Sequence, residues 1–377
     1  MSVASVVLLV AGLAMPPAVA TTTSPTALTR GVSYWRQTFR TASGLTARAV
    51  LVRVDLTVAG LGLAPASQGE KVGSVRRPVS YLADATHAVA GINADFFNDD
   101  SDFGTPFGGM MRGGGVLKSP RPGREANFFI RSDGTAGIGA VPFSALVRRP
   151  AVGARAAASS AIFSVNTLRD AENGRITLVT GRLARIVLGS RCTAAKGSTT
   201  AGRSTVGSIE TGDTRLAPRV AGTWALIACG GSGADWIHRQ LRIGDRVVLT
   251  TSFAHGRPRA LVSGGGVLVT RGAAHYDRTR LKPEGRNPET FACVGRLGRS
   301  VLLGVVDGRS AQSAGVSFHD LTGYLLALHC YTGMVFDGGG STTMVVRLPA
   351  HTRSTVLNVP SDGEQRPVPN GLFVYKT

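Results

Sequence analysis

Residues 300–337 read SVLLGVVDGRSAQSAGVSFHDLTGYLLALHCYTGMVFD. An apolar run ends in Asp307, a helical pattern follows, and a second apolar run ends in Asp337. Ser317 and Asp320 stand at capping-box spacing, and Leu321, Leu325 and Leu328 recur at the helical period, so a helix is expected over 318–330. Strand–helix–strand is a crossover, and a crossover within one sheet makes its two strands parallel. Both carboxylates then leave the same sheet edge, where sites in such sheets form. Neighbouring strands lie ~4.8 Å apart and next-nearest ones ~10 Å, so one substrate can meet both acids. Upstream, HAVAGINAD at 87–95 repeats the pattern of helix, strand and terminal acid, here Asp95. One Asp-Gly commonly just opens a turn; three strand-end acids form a pattern.

Asp337 is followed by GGGSTT. This is no Walker loop, because the lysine is absent and the spacing fails. Consecutive glycines can still adopt positive φ and aim successive N–H groups into one concavity suited to phosphate or developing negative charge. Ser341, Thr342 and Thr343 add hydroxyls. Cations stand near proline in GRNPET (Arg286) and EQRPVPNG (Arg366), and Arg309 follows Asp307-Gly308. A guanidinium held in a stiff loop can grip phosphate or carboxylate with two bonds. Acids, arginines and donors near one edge favour a phosphorylated or acidic sugar-like substrate.

The rest of the 377-residue chain is mostly short β-like runs separated by Gly and Pro, such as ARAVLVRVDLTV, TWALIACG and DRVVLTTSF. SDGT at 132–135 is a hairpin signal, and RPVSYLADATH, with Pro78 near its start, is a second helix candidate. The expected class is α+β: a β-rich, mixed-sheet core with a few flanking helices and a small inserted β-subdomain. Residues 148–163 read as a boundary, and the insertion is expected at about 151–262 within a main domain of 46–377. Residues 21–45, rich in Thr, Ser and Ala, are expected as a flexible lead-in.

The first twenty residues carry a ten-residue apolar segment, 6–15, followed by Ala18-Val19-Ala20, the pattern of a signal peptide cleaved after Ala20. No later apolar run approaches the ~18 residues of a transmembrane helix. An exported or envelope-associated protein is expected. Four cysteines, none in a Cys-x-x-Cys pair, fit that address as two disulfides with three connectivities open. We favour Cys192–Cys229 and Cys293–Cys330, since each pair brackets one coherent block. The net charge of +19 is carried by scattered arginines without interleaved aromatics, so no nucleic-acid partner is expected; attraction to anionic envelope polymers remains. No cofactor is expected. The one metal candidate is NADFFNDDSD at 93–102, where Asp95, Asp99, Asp100 and Asp102 are hard-oxygen ligands of the kind calcium favours, without EF-hand spacing or its closing Glu.

GINADFF, RNPET, VVDGRS, FDGGGSTTMV and RPVPNGLFV, in this order, resemble the phosphodiester glycosidase family over roughly residues 85–375. The resemblance implies that Asn93, Asp95, Arg286, Asn287, Thr290, Asp307, Arg309, the loop from Asp337 through Gly338, Gly339, Gly340 and Ser341 to Thr342, Arg366 and Asn370 line an active site. Two positions depart from the family's pattern: Ala94 stands where glycine is usual, and Glu289 where arginine is common, which removes a cation from the implied phosphate site. The implied reaction cleaves the sugar C1–O bond of a sugar-1-phosphodiester. Phosphate monoester leaves without protonation, so arginines and N–H groups replace a strong general acid, while a carboxylate activates water or supports the oxocarbenium-like transition state. Asp337, Asp307 and Asp95 are the catalytic candidates, with their roles unassigned. A different class of protein, a non-catalytic binder of anionic envelope polysaccharide on the same fold, fits the same motifs.

Overall fold

The computed structural model describes residues 19–98, 103–123, 126–184, 191–212, 221–275 and 285–376. The expected signal segment falls outside the described residues except for its last two positions, and so do Asp99, Asp100 and Asp102. Two sheets form the centre. In chain order their main strands are β1 (Val32–Arg40), β2 (Thr46–Asp55), β3 (Leu61–Ala66), β4 (Ala90–Asn93), β5 (Gly266–Thr270), β6 (Glu289–Val294), β7 (Ser300–Val306), β8 (Thr332–Val335), β9 (Met344–Val346) and β10 (Gly371–Lys376). The larger sheet runs β1-β2-β7-β6-β8-β5, with short strands at both ends; the smaller runs β9-β4-β10-β3, with Thr355–Val356 beyond β9.

The two sheets face each other across one core, to which Val50, Val52, Ala292, Leu303 and Met334 contribute from the larger and Ala90, Ile92, Met344 and Leu372 from the smaller. Helix α1 (Val79–Ala85) packs Val79, Leu82 and Ala83 on the outer face of the smaller sheet, against Val345 and Phe373. Helix α2 (Phe318–Ala327) packs Leu321, Tyr324 and Leu325 on the outer face of the larger, against Phe291, Cys293 and Val335. The order of layers is therefore helix, sheet, sheet, helix. Strands covered on both faces read as continuous apolar runs, and this is why SVLLGVV shows no alternation. The capping box at α2 forms: Ser317 Oγ accepts from the Asp320 N–H at 3.1 Å, and Asp320 Oδ2 accepts from the Ser317 N–H at 3.2 Å.

A five-stranded sheet containing the SDGT hairpin (Asn127–Ile130 with Ala136–Gly139) joins the same core through Phe128 and Ile130. An eight-stranded sheet, all of whose strands lie between Phe143 and Phe253, has its own core around Trp224, Leu226 and Ile237. Residues 148–163 lie in it, holding the end of the strand Phe143–Arg149 and the whole of its antiparallel partner, Ala158–Ile162. Disulfides join Cys192 to Cys229 and Cys293 to Cys330.

Two expectations need correction. Residues 21–45 are no flexible lead-in: Thr26–Thr29 and β1 pair antiparallel in the larger sheet, and Val32, Trp35 and Phe39 are buried. Phe39 stacks on Tyr324 of α2 with ring centroids 4.0 Å apart. The threonines that suggested disorder are good strand residues on a half-exposed surface. The central sheets are also not mixed; their ladders are antiparallel throughout. β7 and β8 do run parallel to each other, but they are next-nearest neighbours, because β6 lies between them and pairs antiparallel with both.

Candidate active site

The direction of β6 brings a third acid to the edge. β7 ends just before Asp307 and β8 just before Phe336-Asp337, while β6, running the other way, starts at Glu289 on that same edge. Side chains alternate along each strand, and the alternation sorts the acids. Phe291 and Val335 face α2, so Glu289 and Asp337, two residues away from each, share that outer face. Val305 faces the inner core, so Asp307 points inward with it. A cleft of about 240 Å³ opens on the outer side, lined by Phe96, Gly285, Asn287, Glu289, Arg309, Phe318, Asp337, Gly338 and Gly339.

Glu289 and Asp337 are the two acids of that cleft. Burial pushes the Glu289 carboxyl up to about 8, the negative charge of Asp337 adds to the push, and Arg309 opposes it. Burial likewise raises Asp337 to about 7. There the Ser341 hydroxyl, the Arg366 charge and the Gly338 N–H pull down, and the Asp95 charge pushes up. Both carboxyls thus hold their protons far above the ordinary carboxylate range, Glu289 to the higher pH. Gly338 permits the close approach: a Cβ there would lie 2.6 Å from Glu289 Oε2 and 2.8 Å from the Pro288 carbonyl.

Other residues of the motifs build the frame. Asn93, fully buried, donates from Nδ2 to the Asp337 carbonyl at 2.6 Å, and its Oδ1 accepts from Thr290 Oγ1 and the Thr343 N–H. It fixes the backbone that carries Asp337. Asn370 accepts the Asp95 N–H through Oδ1 at 3.0 Å, and Asp95 Oδ2 accepts from the Gly108 N–H at 2.5 Å. The glycine loop is less open than its composition suggests. Only Gly339 of the three has positive φ, at 60°, and the loop closes as one 3-10 turn. The N–H groups of Gly339, Ser341 and Thr342 bond to the carbonyls of Pro288, Gly338 and Gly339. Those three donors are spent inside the protein; Gly338 and Gly339 line the cleft, whereas Gly340, Ser341 and Thr342 are buried.

The three arginines have different partners. Arg309 lines the cleft, donating to Asn287 Oδ1 at 2.9 Å, with its Nη2 3.1 Å from where a Gly339 Cβ would sit. Its φ of 58° puts it in the left-handed region, a conformation that costs of order 1 kcal/mol and tends to mark functional loops. Arg286 instead pairs with Asp320 at 2.8 Å and Ser43, tying the RNPET loop to the α2 cap. Arg366 gives two bonds to Asp362 Oδ2, at 2.9 and 2.7 Å, and stands behind Gly340. Asp307 does not reach the cleft: Oδ1 accepts from the Val359 N–H at 3.0 Å, with Arg48 and Arg36 nearby. The calcium candidate keeps only Asp95 among the described residues, and they contain no cluster of three metal-ligating side chains.

Reading the sequence for strand-end acids passed over Glu289, because it opens a strand rather than closing one. The alternation in ETFACV, with Glu289 on the face of Phe291 and Cys293, was the available signal.

No curated protein sequence matches the chain. Its structure is similar to that of a hypothetical protein from Synechocystis (TM-score 0.77, 17% identity), covering 96% of this chain but 64% of that one, so it spans just under two thirds of that relative. A Burkholderia pseudomallei K96243 protein described as exported gives a TM-score of 0.74 at 16% identity, with 96% and 98% covered. The catalytic domain of zebrafish N-acetylglucosamine-1-phosphodiester alpha-N-acetylglucosaminidase, auto-inhibited by its pro-peptide, gives 0.51 at 13% identity, with 96% and 89% covered. At such identities these likenesses establish the fold. In sequence, residues 232–375, which supply all of the cleft lining except Phe96, match the model of the phosphodiester glycosidase family.

Proposed function

We propose that this chain is an exported glycosidase that hydrolyses the sugar C1–O bond of glycosyl phosphodiesters, releasing free sugar and a phosphomonoester. The observation that carries the reading is Asp337, a half-buried acid in a cleft whose cationic lining residue is Arg309. Asp337 acts on the attacking water or on the positive charge that develops at C1. Arg309 takes the phosphate oxygens, and Phe96 and Phe318 give the sugar ring apolar contact. The Asp95 charge helps to keep the Asp337 carboxyl raised, and Asn93, Thr290 and Asn370 hold the frame. The family match and the substrate named for the zebrafish enzyme support this substrate class. Two disulfides and the likeness to an exported protein support export, and the net charge of +19 favours work on anionic envelope polymers.

The test is to incubate the purified protein with a panel of sugar-1-phosphodiesters. Free sugar is expected from at least one, and Asp337→Asn should abolish it. Measurable binding of anionic polysaccharide with no sugar released from any member would overturn the enzyme and leave the polymer binder.

A further inference from the structure

We propose that Glu289 is the proton donor of this cleft, and that it extends the substrate class from glycosyl phosphodiesters to ordinary O-glycosides, whose alkoxide leaving groups need a proton. The inference rests on the reading of Asp337 as the site carboxylate and adds a second, distinct role beside it.

Three observations lead there. Glu289 opens the strand next to β8 and shares its face with Asp337, so the two carboxyls look into one cleft. The side chain is 5% exposed, and the positive lining residue near it is Arg309, itself engaged with Asn287. A buried carboxyl beside a second carboxylate keeps its proton well above the usual range, which makes it an acid at neutral pH. The arginines that would suit a phosphate dianion are committed elsewhere, Arg286 to Asp320 and Arg366 to Asp362. With two carboxyls and one arginine, the cleft suits an uncharged linkage as well as a charged one.

The step balances as a hydrolysis. Water's oxygen bonds to C1 and one of its protons passes to Asp337. The C1–O bond breaks with its electron pair on the leaving oxygen, which takes the Glu289 proton. Solvent then removes the proton from Asp337 and returns one to Glu289. With phosphate as the leaving group the Glu289 proton is dispensable; with an alkoxide it is required, and general acid catalysis of this kind contributes ~10²–10⁴-fold.

The experiment compares one sugar carried on leaving groups of graded basicity, from phosphomonoester and nitrophenol to simple alcohols, for the wild type and Glu289→Gln. The wild type should cleave alkyl glycosides and show a shallow dependence of kcat/KM on leaving-group pKa. The variant should lose at least 100-fold on alkyl glycosides and only a few-fold on phosphodiesters, giving a steep dependence. The wild-type series needs no variant: a steep slope there, or turnover of phosphodiesters alone, overturns the proton donor while leaving the phosphodiesterase reading intact. An equal loss on every substrate makes Glu289 a positioning residue and also overturns it. No turnover of either class removes both readings together.

Discussion

β7 and β8 run in the same direction through one sheet, and an aspartate follows each, yet the two acids have opposite fates. Asp337 falls on the α2 face and meets the cleft, Glu289 and Arg309. Asp307 falls on the inner face and is held by the Val359 N–H at the edge of the smaller sheet. One position in the alternation separates an acid that lines the cleft from one bound into the frame. The lesson is that an acid at a strand end is placed by the edge but assigned by the face.

Exchanging the two acids' chemistry in turn sharpens the contrast. Asp337→Asn should lower kcat by ~10²–10⁴, the usual cost of removing an acid–base group, with a melting temperature close to wild type. Asp307→Ala should do the reverse. It strands the Val359 N–H and costs about 1–3 kcal/mol of stability, while kcat of the folded protein stays within a few-fold. Thermal melts alongside rates read both, and a dead but stable Asp307→Ala would break the distinction.

The pH dependence comes next in size. For an alkyl glycoside, kcat/KM should rise as Asp337 ionises near 7 and fall as Glu289 loses its proton near 8, the two limbs belonging to the pair rather than to either residue, while for a phosphodiester the fall should be weak. The groups that set them are Asp95, Arg366, Ser341 and Gly338 around Asp337, and Asp337 and Arg309 around Glu289. Stability has a definite sign. Both carboxyls keep protons in the folded state that the unfolded chain releases near their ordinary values, 3.8 and 4.5. The stability linked to them is full below about pH 4 and is lost as pH climbs through 7 and 8. Glu289→Gln should flatten the part that falls toward pH 8, which denaturant melts across pH 5–9 would detect; an unchanged slope would mean that Glu289 titrates normally.

The arginines offer the smallest contrast. Arg309→Ala should raise KM for a phosphodiester by about 10-fold, the scale of one charge-assisted contact. Arg286→Ala removes the half-buried pair with Asp320 and should cost about 1 kcal/mol of stability or less, with KM little changed. Equal effects on KM would show that both guanidinium groups reach substrate.

Much of this arrangement was legible in the chain. The capping box Ser317–Asp320 and the leucine period gave α2, and the strand–helix–strand pattern gave the common direction of β7 and β8. Glu289 escaped because nothing local in RNPET says that its strand threads between those two; that pairing is fixed by contacts distant in sequence. The glycine loop is similar. Glycine composition reports conformational freedom, whereas the use of each N–H depends on which carbonyl comes near: Pro288, just before β6, takes that of Gly339. The lead-in differs from expectation because Thr-rich composition hides Val32, which faces the core between the sheets, and Trp35 and Phe39, which pack beneath α2.

The most direct test of the account is where water's oxygen goes. Hydrolysis of a sugar-1-phosphodiester by the wild-type protein in ¹⁸O-water, followed by mass analysis of the phosphomonoester, separates attack at C1 from attack at phosphorus. Displacement at C1 from the Asp337 cleft predicts a phosphomonoester free of label, with the product absent from the Asp337→Asn reaction. Label in the phosphate would contradict it, because the bond broken would then be P–O and the protein no glycosidase.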